Sequence, residues 1–253
     1  TTITAIKDAC LYHTDLQKYA WCKMKKKLFF MTFISCVVLE MVVYPQSFGL
    51  VSAQEESLVF NWAFGAMIGD IENRQLISIP TSTVLKTGDQ FKALIIPQKD
   101  CFVYLISHGP QDEITLLFPY EINQFDKDFH TETEYYIPQG NGWYEFDTNT
   151  GKETFYLLAA TYRLVGLEKL LKKYSEAKHS QKKLLVSSIL SEIKRVKKNH
   201  KTLTASAERP ITIGGTVRGI NKRDVKNYPN IAVIATQIAA TEFFSRTFRI
   251  DHQ

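Results

Sequence analysis

Cysteine, glycine and proline are all scarce in this chain, and no catalytic signature stands out. The 253 residues hold four Cys, 12 Gly and eight Pro, too few for a disulfide-dense, collagen-like or low-complexity protein. The net charge of +5 is modest and by itself calls for no nucleic-acid partner. The glycine-rich stretch Gly214-Gly215-Thr216-Val217-Arg218-Gly219 lacks the Gly-Lys-Ser/Thr end of a phosphate loop. No His-Arg-Asp triplet of a kinase occurs. What is present is an ordinary globular balance, 45% apolar and 23% charged, in a length that suits one or two domains.

The first fifty residues differ from the rest. Met24-Lys25-Lys26-Lys27 precedes an apolar run, Leu28 to Val43, interrupted at Glu40; Pro45, Gly49 and Val51-Ser52-Ala53 follow. A basic start, an apolar stretch, helix breakers and small residues before a cut are the parts of a secretory signal peptide. Residues 24–53 therefore predict export, with cleavage near Ala53. Two alternatives stand beside it: an uncleaved membrane anchor over residues 28–43, although 16 residues is short of the roughly 20 a spanning helix needs, and lipidation at Cys36. Residues 1–23 precede the first Met and are expected to be a non-native upstream extension. Without 1–53 only Cys101 remains, so no intramolecular disulfide is possible, which suits a bacterial envelope. Cys101 itself predicts a small buried hydrophobe; a catalytic thiol would need a base and an acid, and only His108 lies near in sequence.

From residue 58 to 161, runs rich in β-branched and aromatic residues alternate with turn signals. Strands are predicted over Leu58–Ile68, Gln75–Pro80, Phe91–Ile96, Cys101–Ser107, Glu113–Phe118, Tyr135–Pro138, Trp143–Phe146 and Glu153–Thr161. That spacing predicts a mainly β fold, an Ig-like β-sandwich. The strands at Cys101 and Thr154 are almost continuously apolar, as strands covered on both faces would be. Ile211-Thr212-Ile213, Ile231–Ala240 and the partly alternating Thr241–Ile250 are expected as C-terminal strands of the same domain, which would run from 54 to 253.

Leu85-Lys86-Thr87-Gly88-Asp89, then Cys101-Phe102-Val103-Tyr104-Leu105, then Ile114-Thr115-Leu116-Leu117-Phe118-Pro119 form an ordered series. With Tyr136-Ile137-Pro138 and the Gly151-x-Glu153 strand opening, it resembles domain-of-unknown-function family 4384 over roughly residues 75–165. The resemblance implies an accessory β-domain of bacterial proteins with no assigned activity and no catalytic residue to carry over. In physical terms Gly88-Asp89 makes a tight turn, Pro119 ends a strand, and Phe118 is a core residue.

Residues 166–201 change character. They hold 11 Lys or Arg against three Glu, a balance of +8 that leaves −6 on the rest of residues 54–253. Leu167, Leu171 and Tyr174 share one helical face; Leu185, Ile189, Ile193 and Val196 share another. Two antiparallel helices or one bent helix fit, with Ser180 as N-cap of the second. This basic α-helical insertion predicts either an interaction surface, through Lys172, Lys173, Lys182, Lys183, Lys197 and Lys198, or a solvated helix face that merely packs on the sandwich. The partner expected for such a surface is an acidic protein or an anionic membrane surface, not nucleic acid and not a small-molecule substrate.

Between Asn123 and Tyr135, Asp126, Asp128, Glu132 and Glu134 alternate around His130. Asp126, Asp128 and His130 are the candidates for a Ca²⁺ site or for a hydrolase; a solvated loop is the simpler expectation. The function expected is an exported bacterial accessory or binding module of the periplasm or cell envelope, without enzymatic activity or cofactor. Its alternative is an envelope hydrolase or Ca²⁺-binding protein using residues 126–134. The leader makes a first prediction. Mass spectrometry of the protein from its native host should find Gln54 at the N-terminus; a peptide containing Tyr12 or Trp21 would overturn both the cleavage and the upstream extension.

Overall fold

In the computed structural model, which describes residues 57–70, 73–200, 207–211 and 229–253, the apolar alternation that starts at Leu58 builds two sheets. The leader at 24–53, the stretch 1–23, the alternative anchor 28–43, Cys36, Lys201, Thr212, Ile213 and the glycine-rich stretch 214–219 lie outside the described residues. All described residues belong to one compact unit, Gln54–Gln253.

Sheet A contains β1 (Leu58–Ile68), β2 (Gln75–Ser78), β4 (Gln90–Pro97), β7 (Tyr135–Ile137), β8 (Tyr144–Glu145), β10 (Ala207–Pro210) and β11 (Thr236–Ala240). Its path is β10-β11-β1-β4-β7, with β2 on β1 and β8 on β4. Sheet B contains β3 (Ser82–Leu85), β5 (Phe102–His108), β6 (Ile114–Phe118), β9 (Gly151–Ala160) and β12 (Phe243–His252), in the order β3-β12-β9-β5-β6. The Gly88-Asp89 turn forms as expected: Gly88 takes φ +89°, and the Asp89 carboxylate accepts the Lys86 amide at 2.8 Å.

The two sheets share one core. Phe60, Trp62 and Phe64 of β1 meet Phe155 of β9 and Phe244 and Phe248 of β12, with ring centroids 5.1–6.0 Å apart across the sheets. Such pairs add roughly 0.5–1.5 kcal/mol each beyond area burial.

The near-continuous apolarity of β5 and β9 has its expected cause. Val103, Leu105, Phe155, Leu157 and Ala159 enter the core between the sheets, while Tyr104, Ile106, Leu158 and Ala160 point the other way. That second face is closed by two antiparallel helices, α2 (Val165–Glu176) and α3 (His179–Asn199). Leu167, Leu171 and Tyr174 of α2 and Val186, Ile189, Ile193 and Val196 of α3 pack there. Leu185, expected in the stripe, is only partly buried, and Val186 stands in its place.

Four sequence expectations change. The start of α3 is Lys178-His179, not Ser180; Lys178 occupies the cap position with no side-chain cap. Only Ala177 and Lys178 join the helices, so the stripe closing on sheet B sets that start. Ile231–Ala240 is not one strand: Ile231–Ile234 is a 3-10 turn, held where the Asn230 side chain accepts the Ala232 amide at 2.9 Å. It covers the outer face of sheet A beside Ala63, Leu94 and Ile96. The segment 123–135 contains a short helix, α1 (Gln124–Lys127), folded down because Phe125 packs edge-on against Phe102 and Tyr104. Finally β3, too short for its alternation to stand out, pairs parallel with β12.

One polar network fastens the helices to sheet B. Tyr104, fully buried on β5, donates to Glu168 Oε1 of α2 at 2.6 Å and accepts the Leu164 amide at 3.0 Å. Arg163 grips the same carboxylate with Nε at 3.0 Å and Nη2 at 2.7 Å, and reaches Asp126 Oδ1 with Nη1 at 2.6 Å. A buried carboxylate is stable only when paired and hydrogen-bonded, and Glu168 is both. Burial and the bond to Glu168 push the Tyr104 hydroxyl well above its ordinary pKa, and the bonds to Glu168 do the same for Arg163. Tyr104→Phe leaves the buried Leu164 amide unpaired and should cost about 1–3 kcal/mol. Equilibrium urea unfolding checks this; an unchanged midpoint would show that the hydroxyl holds nothing.

Candidate functional site

The helical hairpin divides its residues into two kinds. The apolar stripe is consumed by packing, and its one buried carboxylate, Glu168, by the Tyr104–Arg163 network. In the sequence Glu168 counts only as one of the three Glu of residues 166–201; its burial is not legible there because an isolated Glu in a Lys-rich helix carries no mark of its partner. Most of the lysines face outward. Lys172, Lys173, Lys183 and Lys198 are exposed, and none has a carboxylate partner among the described residues.

The six lysines singled out from sequence are not one patch. Lys172 and Lys173 lie in the last turns of α2, with Lys182 and Lys183 facing them from the first turns of α3. Lys197 and Lys198 lie 15 positions further along α3, about 22 Å away at the helical rise. Two of the six are already engaged. Lys182 sits half-buried over the Tyr174 ring at 4.9 Å. Lys197 donates to Thr247 Oγ1 of β12 at 2.7 Å, and burial, with Arg249 nearby, pushes its ammonium below the ordinary lysine pKa. Arg195 is paired with Glu192 at 2.7 Å.

The acidic segment does not converge on a centre. Asp126 is bound to Arg163. Asp128 caps α1, and its backbone carbonyl, not its carboxylate, accepts the Tyr135 hydroxyl at 3.0 Å. His130 is exposed and uses its amide to bond the Tyr135 oxygen at 2.7 Å. No group of three or more His, Cys, Asp or Glu placed to hold a metal occurs among the described residues. Asp128 and Glu134 do line a groove of about 670 Å³, with Tyr120, Glu121, Tyr136 and Gln139.

Two buried polar sites escaped the sequence. Lys92 on β4 is only 5% exposed; its ammonium donates to the Gly140 and Gly142 carbonyls at 2.6 and 2.7 Å and lies 5.2 Å from the Tyr136 ring centroid. Burial lowers its pKa, and with its donors so used it pins the loop between β7 and β8. His252 at the end of β12 is buried against Phe146, with Nε2 3.2 Å from Thr87 Oγ1 and Nδ1 3.4 Å from Glu153 Oε1. The order hydroxyl, imidazole, carboxylate has the outline of a nucleophile and its base. The Thr87 hydroxyl, however, donates to the Asp147 carbonyl at 2.9 Å, and His252 Nδ1 makes no hydrogen bond among the described residues. The cluster ties β12 to the β3–β4 turn and to β9.

Cys101 is buried, 2% exposed, just ahead of β5. Burial, with Asp100 adding, pushes its thiol up to about 12, whereas a reactive cysteine has its pKa lowered. His108 is bonded to Asp112 at 2.8 Å instead. Iodoacetamide at pH 8 should therefore leave Cys101 unmodified in the native protein and label it in urea, read by peptide mass spectrometry. Rapid labelling of the native protein would reopen a thiol chemistry.

No helix among the described residues is long and apolar enough to cross a membrane. Comparison with curated proteins and with solved structures returned no match. A family model does match, over residues 84–163, from the end of β3 through β9 to Arg163. The matched segment carries the Gly88-Asp89 turn, Tyr104, the Phe118-Pro119 strand end and Arg163, and it stops before the basic hairpin. That model is the one described as Domain of unknown function (DUF4384), the family whose motifs the sequence resembles.

Proposed function

We propose that the chain is an exported bacterial binding or assembly module of the periplasm or cell envelope, an Ig-like β-sandwich that presents its basic hairpin to an acidic partner or an anionic envelope surface. The observation that carries this is the separation of roles within the hairpin. Its apolar stripe and Glu168 complete the fold, while Lys172, Lys173, Lys183 and Lys198 are exposed and form no side-chain hydrogen bond or ion pair among the described residues. A helix needed only as a cover would be served as well by mixed charges, which neutralise one another and add i,i+4 support. The two sheets sharing one core support the sandwich, and the leader pattern at residues 24–53 supports export. The module acts without catalysis or cofactor.

The second reading, a hydrolase or Ca²⁺-binding protein, keeps one observation in its favour, the groove lined by Asp128 and Glu134. Against it stand the capture of Asp126 by Arg163 and the outward position of His130.

The test is a pull-down of residues 54–253 from envelope extract across a salt series, beside a variant with Lys172, Lys173, Lys183 and Lys198 changed to Glu. Lys182 and Lys197 are left in place because they are bonded to Tyr174 and Thr247. Retention of the wild type should fall between 50 and 500 mM salt, in the range where screening shortens to below roughly 10 Å. The variant should keep its unfolding free energy within about 1 kcal/mol and lose retention. Equal retention of both proteins at every salt concentration would reduce the hairpin to a cover. Loss of a biological activity in an Asp126, Asp128 and His130 to Ala variant, with complexes intact, would favour the hydrolase.

A further inference from the structure

The hairpin is not uniform along its length. Between residues 172 and 184 five lysines, at 172, 173, 178, 182 and 183, stand against one acid, Glu176. Lys172 is four residues before the end of α2 and Leu184 is five after the start of α3, so this charge lies within about 8 Å of the turn along the helix axes. Lys172, Lys173, Lys178 and Lys183 are exposed there. The first turn of α3 contains no acid and no side-chain cap, so its peptide dipoles add to the positive potential rather than being neutralised.

At the same place stands Leu184, 76% exposed, more than any other large apolar side chain among the described residues. It belongs to no packing face: the buried stripe of α3 is Val186, Ile189, Ile193 and Val196, and at 100° per residue Leu184 falls nearly opposite Val186. Side chains tilt toward the N-terminus of their helix, and the N-terminus of α3 is the turn. Leu184 and Lys183 therefore lean toward the tip.

We infer that the α2–α3 turn docks on an anionic lipid surface, with Lys172, Lys173, Lys178 and Lys183 against headgroup phosphates and Leu184 entering the interface among them. This rests on the proposed function and names its partner. Positive side chains around a single projecting leucine match a surface that is anionic outside and apolar just beneath, where lysine stems lie along the apolar layer and keep their ammonium groups at the phosphates. The far end of α3 differs. Lys197 is tied to Thr247 and Arg195 to Glu192, while Lys194 and Lys198 stay exposed. The exposed apolar side chains there are Val165 and Tyr162, the latter bonded to His200, and no exposed leucine lies at that end among the described residues.

The experiment uses residues 54–253 and vesicles of phosphatidylcholine alone or with 30% phosphatidylglycerol, read by flotation in 50 to 500 mM salt. The wild type should float with the anionic vesicles at low salt and not with the neutral ones. Changing Lys172, Lys173 and Lys183 to Glu should weaken that binding by about a hundredfold or more, at near 1 kcal/mol per surface charge. Leu184→Ser should weaken it by roughly tenfold without altering its salt dependence. In the Leu184→Trp variant, lipids brominated in the acyl chain should quench emission that they leave untouched in the wild type. Lys198→Glu should bind as the wild type does. No flotation, equal flotation of the triple lysine variant, or unquenched emission from the Leu184→Trp variant would overturn the inference. If the lysine variant loses an acidic protein from lipid-free extract while no vesicle binds, the proposed function stands and the lipid partner falls. If neither vesicle nor extract distinguishes the variants, both fall.

Discussion

The central strands of sheet B, β5 and β9, are apolar on both faces, and an apolar face left in water has a large free-energy cost. At about 25 cal/mol per Å², uncovering Tyr104, Ile106, Leu158, Ala160 and Phe243 would expose several kcal/mol of burial at once. The rest of the molecule follows from that requirement. Sheet A, through Phe60, Trp62 and Phe64, closes one face; the helical hairpin closes the other. The chain leaves β9, crosses the outer face of sheet B as α2 and α3, contributes β10 and β11 to sheet A, and returns as β12 to pair with β9 over ten residues. The hairpin is thus a layer of the fold, lodged between two strands whose pairing depends on the path around it.

Apolar packing alone would let a helix slide along such a face. The Tyr104–Glu168–Arg163 network gives a directional constraint, because a buried carboxylate loses most of its stabilisation if its donors move by an ångström. It also explains how a basic segment can sit on an apolar sheet. The acid needed inside is supplied by Glu168, while Lys172, Lys173, Lys183 and Lys198 stay exposed. Folding and recognition are in this way assigned to different side chains of the same two helices.

The family match and the physical unit have different limits. Residues 84–163 carry β4 to β9 and the Arg163 end of the network. They lack β1, which lies between β4 and β11 in sheet A, and β12, which lies between β3 and β9 in sheet B. They also lack Glu168. The matched segment therefore holds three whole strands of the seven in sheet A and three of the five in sheet B, and the strands and helices outside it complete both layers.

Much of the β architecture was legible residue by residue. The limits of β1 coincide with the run Leu58–Ile68, and the continuous apolarity of β5 and β9 announced burial on both faces. The helical periodicity located Leu167, Leu171, Tyr174, Ile189, Ile193 and Val196 before any contact was known. These features are local: periodicity and turn chemistry are written in neighbouring residues. The partners of Glu168, Lys92, His252 and Lys197 were not legible, since each depends on a contact with a residue 5 to 165 positions away. For the same reason the six lysines looked like one surface in the sequence and separate into two ends of a hairpin in space. Composition and periodicity determined that the chain would form a two-sided β layer with a basic helical segment. Only tertiary structure decided which charges that layer buries and which it leaves facing outward, because burial and pairing of a charge are set by what the fold brings against it.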